Sequence, residues 1–217
     1  MKKNGFTVAV YSFLLRLFRK NKIRVKRGNS FTFKGVLVRG CNVKVLGTDN
    51  KITLDPAVKY VGDLKILING NGNVVRVEEG CFLKGLFIWV EDDNNEIVIK
   101  KDTVICGSTR LSVMEGTKII IGERCLFSDE IDIRTGDSRS ITDLNGNRLN
   151  SSRDVCIGDK VWIGHGVTLL KGSRIPNKSI VGTGAVVTKE FDQDHVVIAG
   201  NPAKIVKENV DWEFNRQ

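Results

Sequence analysis

The sequence predicts an all-β protein whose strands wind into a parallel β-helix, a stack of coils around one core. Three observations predict it: a pattern repeats every 22 residues in the middle of the chain, aliphatic residues recur every six positions towards its C-terminal end, and glycine is frequent while proline is scarce. An α-helix repeats its apolar positions every three or four residues and a single strand every two, so neither explains these periods. Repeats of this kind indicate a solenoid, in which each coil buries its apolar side chains against the next.

The longer repeat is clearest in the segments 73–83 (NVVRVEEGCFL), 95–105 (NEIVIKKDTVI) and 117–127 (TKIIIGERCLF). The segment 50–60 (NKITLDPAVKY) fits the same pattern, and 29–39 (NSFTFKGVLVR) fits it less well. The aligned positions are expected to point into the core; they are Val77, Ile99 and Ile121, then Leu83, Ile105 and Phe127, then Trp89, Leu111 and Ile133. Each coil therefore contributes three strands, one to each side of a prism.

From residue 157 the coils become shorter and the step of six becomes strict. The expected inward positions are Ile157, Ile163, Leu169, Ile175, Val181 and Val187. The earlier coils are longer because they carry polar inserts, such as NGNG at 69–72 and EDDNN at 91–95, which we expect to protrude at one corner. A longer polar loop, 134–156, interrupts the pattern. Long loops in compact domains are usually functional, so this loop is a candidate site.

The charge and the cysteines of the chain limit which classes of partner and site are expected. Much of the net charge of +9 comes from residues 16–27, which include seven Arg or Lys and no acid. A basic segment beside apolar residues favours an anionic surface or a partner protein over nucleic acid, because no nucleic-acid-binding motif accompanies it. The five cysteines are scattered and form no CxxC pair, so neither a disulfide framework nor a zinc site is expected. Free thiols in the cytoplasm are the expected state.

Three regions are expected along the chain: a basic amphipathic segment at 1–28, the β-helix at 29–200 with its loop at 134–156, and a C-terminal tail helix at 201–217. Residues 6–18 are apolar but too few to span a bilayer, and no signal-peptide cleavage pattern follows them. We expect an N-terminal helix that caps the coils. Peripheral contact with the inner face of the membrane, through residues 6–27, is the alternative.

The C-terminal coils resemble those of the hexapeptide-repeat acyltransferases. The motifs VWIG at 161–164, VVTK at 186–189 and AGNPAK at 199–204 occur in the order typical of that family. The resemblance is strong over 121–207 and weaker over 29–120. It implies a left-handed parallel β-helix, whereas ordinary parallel crossovers are right-handed. It also implies a homotrimer in which neighbouring chains share each site.

The family transfers an acyl group, usually acetyl, from coenzyme A to a hydroxyl or an amine. The resemblance therefore implies acetyl-CoA as the donor, with its pantetheine arm along the strict coils and its phosphates near lysines. The residues that match cofactor-binding positions are Gly164, Gly182, Thr183, Thr188, Lys189, Lys204 and Lys207. Trp162 matches a tryptophan beside the thioester and the acceptor. Glycine also permits tight turns at coil corners, and for Gly164 both roles stay open.

The loop resembles the catalytic loop of the branch that acetylates capsular and lipopolysaccharide sugars or sialic acids. That loop reads roughly D-x-H-x-I, and its histidine acts as the general base, a role suited to a group that titrates near neutral pH. Here DSRSI matches at Asp137 and Ile141, but Arg139 occupies the histidine position. The resemblance thus implies an acetyl-CoA-dependent O-acetyltransferase of a surface polysaccharide or a sialic acid sugar, in which Arg139 sets the activity. Arginine stays protonated and cannot serve as the base.

Three alternatives follow for this altered site. His165, one of two histidines in the chain, lies three residues after Trp162 and is the better candidate for a substitute base. Asp137 alone, orienting the acceptor while proximity gives slow catalysis, is the second. A non-catalytic β-helix that binds a glycan or coenzyme A is the third. No metal is expected, because the zinc enzymes of this fold use three histidines.

Overall fold

The computed structural model describes residues 21–33 and 38–215, in which each coil contributes short strands to three sheets, here named A, B and C. Sheet A contains β1 (Lys22–Val25), β4 (Asn42–Leu46), β7 (Lys65–Asn69), β10 (Leu86–Glu91), β13 (Thr109–Val113), β16 (Ile131–Arg134), β19 (Thr168–Leu169) and β22 (Val186–Val187). Sheet B contains β2 (Ser30–Phe33), β5 (Lys51–Leu54), β8 (Val74–Val77), β11 (Glu96–Ile99), β14 (Lys118–Ile121), β17 (Val155–Ile157) and β20 (Arg174–Ile175). Sheet C contains β3 (Val38–Arg39), β6 (Tyr60–Gly62), β9 (Phe82–Lys84), β12 (Val104–Ile105), β15 (Leu126–Phe127), β18 (Trp162–Ile163), β21 (Ile180–Val181), β23 (Val196–Gly200) and β24 (Ala203–Glu208).

The predicted stacking of apolar side chains inside the coils is confirmed. Val77, Ile99 and Ile121 are in register on β8, β11 and β14 and are buried. Leu83, Ile105 and Phe127 form the matching column on sheet C. The strict positions from Ile157 to Val187 are buried as well. One continuous aliphatic core therefore holds the coils together, since a single coil cannot bury its own apolar side.

One inward position was predicted wrongly. Ile88, not Trp89, is in register with Leu111 and buried, whereas Trp89 faces outwards and is 36% exposed. The corner between Leu83 and Leu86 has two residues, while the matching corner between Ile105 and Thr109 has three. Because side chains alternate along a strand, one missing corner residue moves the neighbouring side chain to the opposite face of the sheet.

The polar inserts lie together at the corner between sheets A and B, as predicted. Their buried members form a ladder of side-chain amides: Asn50 donates to Asn29 at 2.8 Å, Asn73 to Asn50 at 2.9 Å and Asn95 to Asn73 at 3.0 Å. The backbone amide of Thr117 donates to Asn95 Oδ1 at 3.1 Å and continues the ladder. Each buried amide group is satisfied by the coils on either side, as burial of polar groups requires.

The long polar loop leaves the prism where this ladder ends. The hydroxyl of Thr117 donates to Thr135 Oγ1 at 2.6 Å, and Thr135 is the first residue after β16. The chain rejoins the coils at β17, so the loop comprises residues 135–154 rather than 134–156. It is one enlarged insert at the corner between sheets A and B.

Both ends of the β-helix differ from the prediction. Within the described residues the first strand is β1, which pairs with β4, so the coils include residue 22, before the predicted start at 29. The expected N-terminal helix and most of the 6–27 segment lie outside the described residues. Within those residues there is no helix that is long and apolar enough to cross a membrane.

The predicted C-terminal helix is wrong. The turn at Gly200, Asn201 and Pro202 reverses the chain, and β24 pairs antiparallel with β23 at the edge of sheet C. Residues 203–208 (AKIVKE) alternate between buried or half-buried Ala203 and Ile205 and exposed Lys204, a period-two pattern that suits a strand. Residues 209–215 follow without helical structure, and Trp212 among them is buried.

Candidate active site

The base of the loop is held by a cluster of Asp137, Asn150 and Lys171. Lys171 Nζ donates to Asp137 Oδ2 at 2.6 Å, and Asn150 Nδ2 donates to the same oxygen at 2.7 Å. Lys171 also donates to the backbone carbonyl of Asn150 at 2.9 Å. These bonds, first that from Lys171 and then that from Asn150, lower the pKa of Asp137 below the usual carboxyl value. Asp137 is therefore an ionised anchor for the loop and a weak base.

Arg139 is exposed on the loop at the corner between sheets A and B. Its Nη1 donates to the carbonyl oxygen of Ser138 at 2.7 Å, and its own carbonyl oxygen accepts a bond of 2.8 Å from Asn150 Nδ2. Asn150 is buried and also accepts the backbone amide of Ile141 at 2.7 Å. The backbone around Arg139 is thus held in place by one amide side chain, while its guanidinium reaches solvent without an ion-pair partner in the described part of the chain.

Trp162 and His165 lie on another side of the prism. Trp162 is on the outer face of β18 in sheet C, 38% exposed, and its Nε1 donates to Ser128 Oγ at 3.4 Å. His165 follows at the corner between sheets C and A, where its Nε2 is 3.5 Å from Glu130 Oε2. One chain therefore does not bring these two residues together with Arg139, which projects from the corner between sheets A and B.

The two predicted cofactor glycines at the corner between sheets C and A have a packing role. A Cβ on Gly164 would lie 2.8 Å from the backbone nitrogen of Thr183 and 2.9 Å from the carbonyl oxygen of Val181, so the next coil leaves room only for glycine. A Cβ on Gly182 would lie 3.1 Å from the side chain of Ala199. Gly184 differs, because its φ is +69° and a Cβ there would meet no heavy atom within 4 Å. It lies beside exposed Thr183 at an open corner.

The remaining predicted cofactor residues fall on two sides of the prism. Thr188 and Lys189 follow β22 at the corner between sheets A and B, where Lys189 Nζ lies 5.2 Å from the ring centroid of Phe191. Lys204 and Lys207 are exposed on β24, the edge strand of sheet C. The structure thus sorts the predicted residues into one group at the loop corner and another on sheet C and its junction with sheet A.

Sequence reasoning missed the aromatic residues that adjoin Trp162. Residues 209–215 return past sheet C, and Trp212 is buried with its Nε1 donating to the carbonyl oxygen of Lys160 at 2.8 Å. Its ring centroid is 6.2 Å from that of Trp162 and 4.9 Å from that of Phe214. The aromatic pair in DWEF was a signal for such packing. Asn150 and Lys171 were also missed, because only the fold brings them beside Asp137.

Comparison with known proteins identifies relatives over most of the chain, although no protein-family model matches it. The chain is 36% identical over 177 residues to a polysialic acid O-acetyltransferase of Neisseria meningitidis, a match that covers 81% of each protein. It is 30% identical over 139 residues to a polysialic acid O-acetyltransferase of Escherichia coli O1:K1, covering 64% of this chain and 44% of that one.

Solved structures agree with the sequence relatives. The structure of the polysialic acid O-acetyltransferase OatWY matches with a TM-score of 0.73 and 31% identity, over 91% of this chain and 89% of that one. The polysialic-acid-specific acetyltransferase NeuO matches with a TM-score of 0.59 and 26% identity, over 88% and 91%. The fold is accordingly the left-handed parallel β-helix expected from the VWIG and AGNPAK motifs. The 36% identity extends over four fifths of both sequences, and the coil architecture is shared. The chain therefore belongs to the hexapeptide-repeat O-acetyltransferases, in the branch of the polysialic acid O-acetyltransferases.

Proposed function

We propose that the chain transfers an acetyl group from acetyl-CoA to a hydroxyl group of a sialic acid polymer. The observation that carries the proposal is the 36% identity, over 81% of both sequences, to an enzyme named for that reaction. The exposure of Trp162 and His165 on the strict coils supports the proposal. The wider class, O-acetylation of a surface polysaccharide, follows from the same relatives.

The residues on the sheet C side fit acetyl-CoA, which when bound supplies an activated thioester. The open space at Gly184 suits a narrow pantetheine arm. Gly184 follows exposed Thr183 and lies on the coil next to that of Trp162. Lys204 and Lys207 are exposed, and in the described part of the chain neither forms an ion pair, so both are available to phosphate groups. Lys189 suits the same role from the loop corner.

A homotrimer is proposed because the outer face of sheet C carries an unbroken apolar column. The residues in register are Tyr60, Phe82, Val104, Leu126, Trp162, Ile180 and Val197. The rings of Tyr60 and Phe82 stack with centroids 4.7 Å apart. Trp162 is exposed and the other six are partly exposed, and a partly exposed apolar surface of this length favours association. A neighbouring chain that presents its loop corner to this sheet would bring its Arg139 and Lys189 towards Trp162 and His165.

Within such a site, His165 is the proposed general base. It is half-exposed, and the Glu130 carboxylate at 3.5 Å suits it for stabilising an imidazolium ion. The acceptor oxygen forms a bond to the acetyl carbonyl carbon as its proton moves to the imidazole. The carbon–sulfur bond breaks, and the proton then passes to the departing thiolate. Arg139 cannot act as the base in this step, because its guanidinium stays protonated. Ionised Asp137 is a weak base that is already bonded to Lys171.

A second candidate function is a non-catalytic β-helix that binds a glycan or coenzyme A. The observation that favours it is Arg139 at the position where the resemblance implies the catalytic histidine. The cytoplasm, where acetyl-CoA would be supplied, is the proposed location for either function.

The test is acetyl transfer by the purified chain, measured as thiol release and as acetyl content of the recovered polymer. Polysialic acid is the acceptor, a neutral polysaccharide is the control, and heat-inactivated protein sets the background. Acceptor-dependent acetylation of the sialic acid polymer alone is the expected result. Binding of acetyl-CoA without transfer to either polymer would overturn the proposed acetyltransferase activity and support the non-catalytic binding protein.

A further inference from the structure

The outer face of sheet A carries basic and aromatic side chains in two columns that run across the strands. The first column contains Lys22, Asn42, Lys65, Phe87, Arg110 and Asp132. The second contains Arg24, Lys44, Leu67, Trp89, Ser112 and Arg134. Residues twenty or more positions apart in sequence thus form one surface, which ends at the long polar loop.

Charge on this face is predominantly positive and largely free. Lys22, Arg24, Lys44 and Lys65 are exposed, and within the described residues none of the four forms an ion pair. The acids on the strands of this sheet are Glu91 and Asp132. Rigid parallel strands hold the cations at fixed spacing, which favours an extended anion over a single small one.

Asp132 organises the end of the face next to the loop. Its carboxylate accepts bonds from Arg110 at 2.8 Å and 3.2 Å, and from Arg134 as well. Two guanidinium groups share one carboxylate, so a positive charge remains, and Arg134 Nε is buried without a hydrogen-bond partner in the described structure. Each guanidinium is held in place and keeps N–H groups that Asp132 does not use, and these can bind a second carboxylate.

A cleft connects these arginines to the loop. Its lining includes Trp89, Arg110, Ser112, Arg134 and Ser138. The rings of Phe87 and Trp89 have centroids 6.3 Å apart with an interplanar angle of 21°, and together they form an apolar platform with basic groups on either side. Such a combination suits a sugar ring that presents one apolar face and a charged substituent.

We propose that the outer face of sheet A binds a polymer of carboxylated sugars, which crosses the strands from the loop towards β1. This inference rests on the proposed function, since the polymer would be the acceptor. The face covers five strand spacings between β1 and β16, roughly 24 Å, enough for several sugar units. Arg110 and Arg134 bind a carboxylate near the loop, Trp89 packs on a ring, and Lys65 and Lys44 contact later units.

The experiment measures binding rather than turnover, so that it does not depend on catalysis. Calorimetry compares polysialic acid, a short sialic acid oligomer, a sulfated polymer and neutral dextran on the full chain at low and moderate salt. The test variants are Lys44→Glu with Lys65→Glu, and separately Trp89→Ala with Trp89→Phe as its conservative partner. Lys51→Glu with Lys178→Glu is the matched control, because it makes the same charge change at exposed positions away from sheet A.

We expect the sheet A double variant to bind polysialic acid about tenfold or more weakly with a smaller salt dependence, as for other polyanions. The short oligomer should lose less affinity, and the control double variant should bind like the parent. Trp89→Ala should weaken binding about fivefold and Trp89→Phe should restore most of it. Equal losses in both double variants, tighter binding of the sulfated polymer than of polysialic acid, or a changed oligomeric state of the sheet A variant by sedimentation would overturn the inference.

Failure of this inference and failure of the proposed function give different results. Transfer of acetyl to polysialic acid at an unchanged rate in the sheet A variants would refute the polymer-binding role of sheet A. The proposed acetyltransferase function would still stand. Binding that depends on sheet A without any transfer would support the face and refute the transferase.

Discussion

The coils before the loop and those after it solve the same packing problem in two ways. The earlier coils carry extra residues at the corner between sheets A and B and fill it with the buried ladder of Asn50, Asn73 and Asn95. The later coils have no inserts, and at the same corner the hydroxyl of buried Ser173 bonds the carbonyl oxygen of Val187 at 2.9 Å. Inserts are therefore accommodated where buried side-chain amides bond to the neighbouring coils. The strict coils pack closely, so that a Cβ on Gly164 would have no room against the next coil.

The strict coils and the loop supply two different positions for a catalytic base, residue 165 and residue 139, and this contrast carries the largest expected effect. A general base typically contributes about a hundredfold to ten-thousandfold to the rate. If His165 on the strict coils is the base, His165→Ala should reduce acetyl transfer within that range. If the site lacks only a base at position 139, Arg139→His should raise transfer at least about tenfold. Initial rates with polysialic acid, at saturating acetyl-CoA, measure both.

Glu130→Gln sharpens the same test, because a residue that orients His165 should lower kcat and move the pH profile while leaving acetyl-CoA binding intact. Rates that stay at the parent value in all three variants would exclude a catalytic base at position 165 and at position 139.

Breaking the ladder should destabilise the protein more than breaking the equivalent corner in the strict coils. Asn73→Ala removes the acceptor of the buried backbone amide and side-chain amide of Asn95, and one donor to the side chain of Asn50, so it should lower the free energy of unfolding by about 2–3 kcal/mol. Ser173→Ala removes one hydroxyl and should cost about 1 kcal/mol. Urea unfolding monitored by circular dichroism gives both values.

Asn71→Ala is the control for the ladder, since Asn71 lies at the same corner but is exposed, so water replaces its lost bonds. A loss at Asn71 as large as that at Asn73 would mean that the buried ladder has no special part in stability.

Lys189 and Lys204 test whether the loop corner and sheet C act on one cofactor. They lie on different sides of the prism, so we expect a single bound acetyl-CoA to contact both only if two chains contribute. Lys189→Glu and Lys204→Glu should each weaken acetyl-CoA binding about tenfold, and the double variant should lose its salt dependence. Co-assembly of the two single variants should recover part of the affinity, because some sites would then contain neither change. Calorimetry on the mixed assembly is the measurement, and no recovery would argue against a shared site.

The smallest effect concerns the loop anchor. Lys171 lowers the pKa of Asp137, so their contribution to holding the loop is present above the usual carboxyl value of 3.8 and is lost as the pH falls through the lower folded value. The protection of the amides at 138–149 against hydrogen exchange should therefore stay constant with pH near neutrality and fall only in acid.

Lys171→Met should accelerate the same exchange at neutral pH, while Lys178→Met at an exposed corner should not. Because Asp137 is partly exposed, solvent screening keeps the effect modest. Equal exchange in both variants would remove the anchoring role.

Local pattern and fold contributed unequally to these conclusions. The columns of Val77 and Leu83 were predictable because every coil must place an aliphatic side chain there. Trp89 was misplaced because one corner is a residue shorter, and the strand at 203–208 was missed because its pairing partner is created by the turn before it. The asparagine ladder escaped notice because asparagine in a polar insert also indicates an ordinary turn.

The sequence by itself determined that the chain is a β-helix, where the loop interrupts it, and which residues match an acetyltransferase site. Those properties follow from period and motif, which are local. Only the tertiary structure decided which side of the prism each residue occupies: Arg139 and Lys189 at the loop corner, Trp162 and His165 on the side of sheet C, and the basic columns of sheet A between them. The physical reason is that position around a coil depends on the summed lengths of all its corners, and register then aligns residues that are a full coil apart.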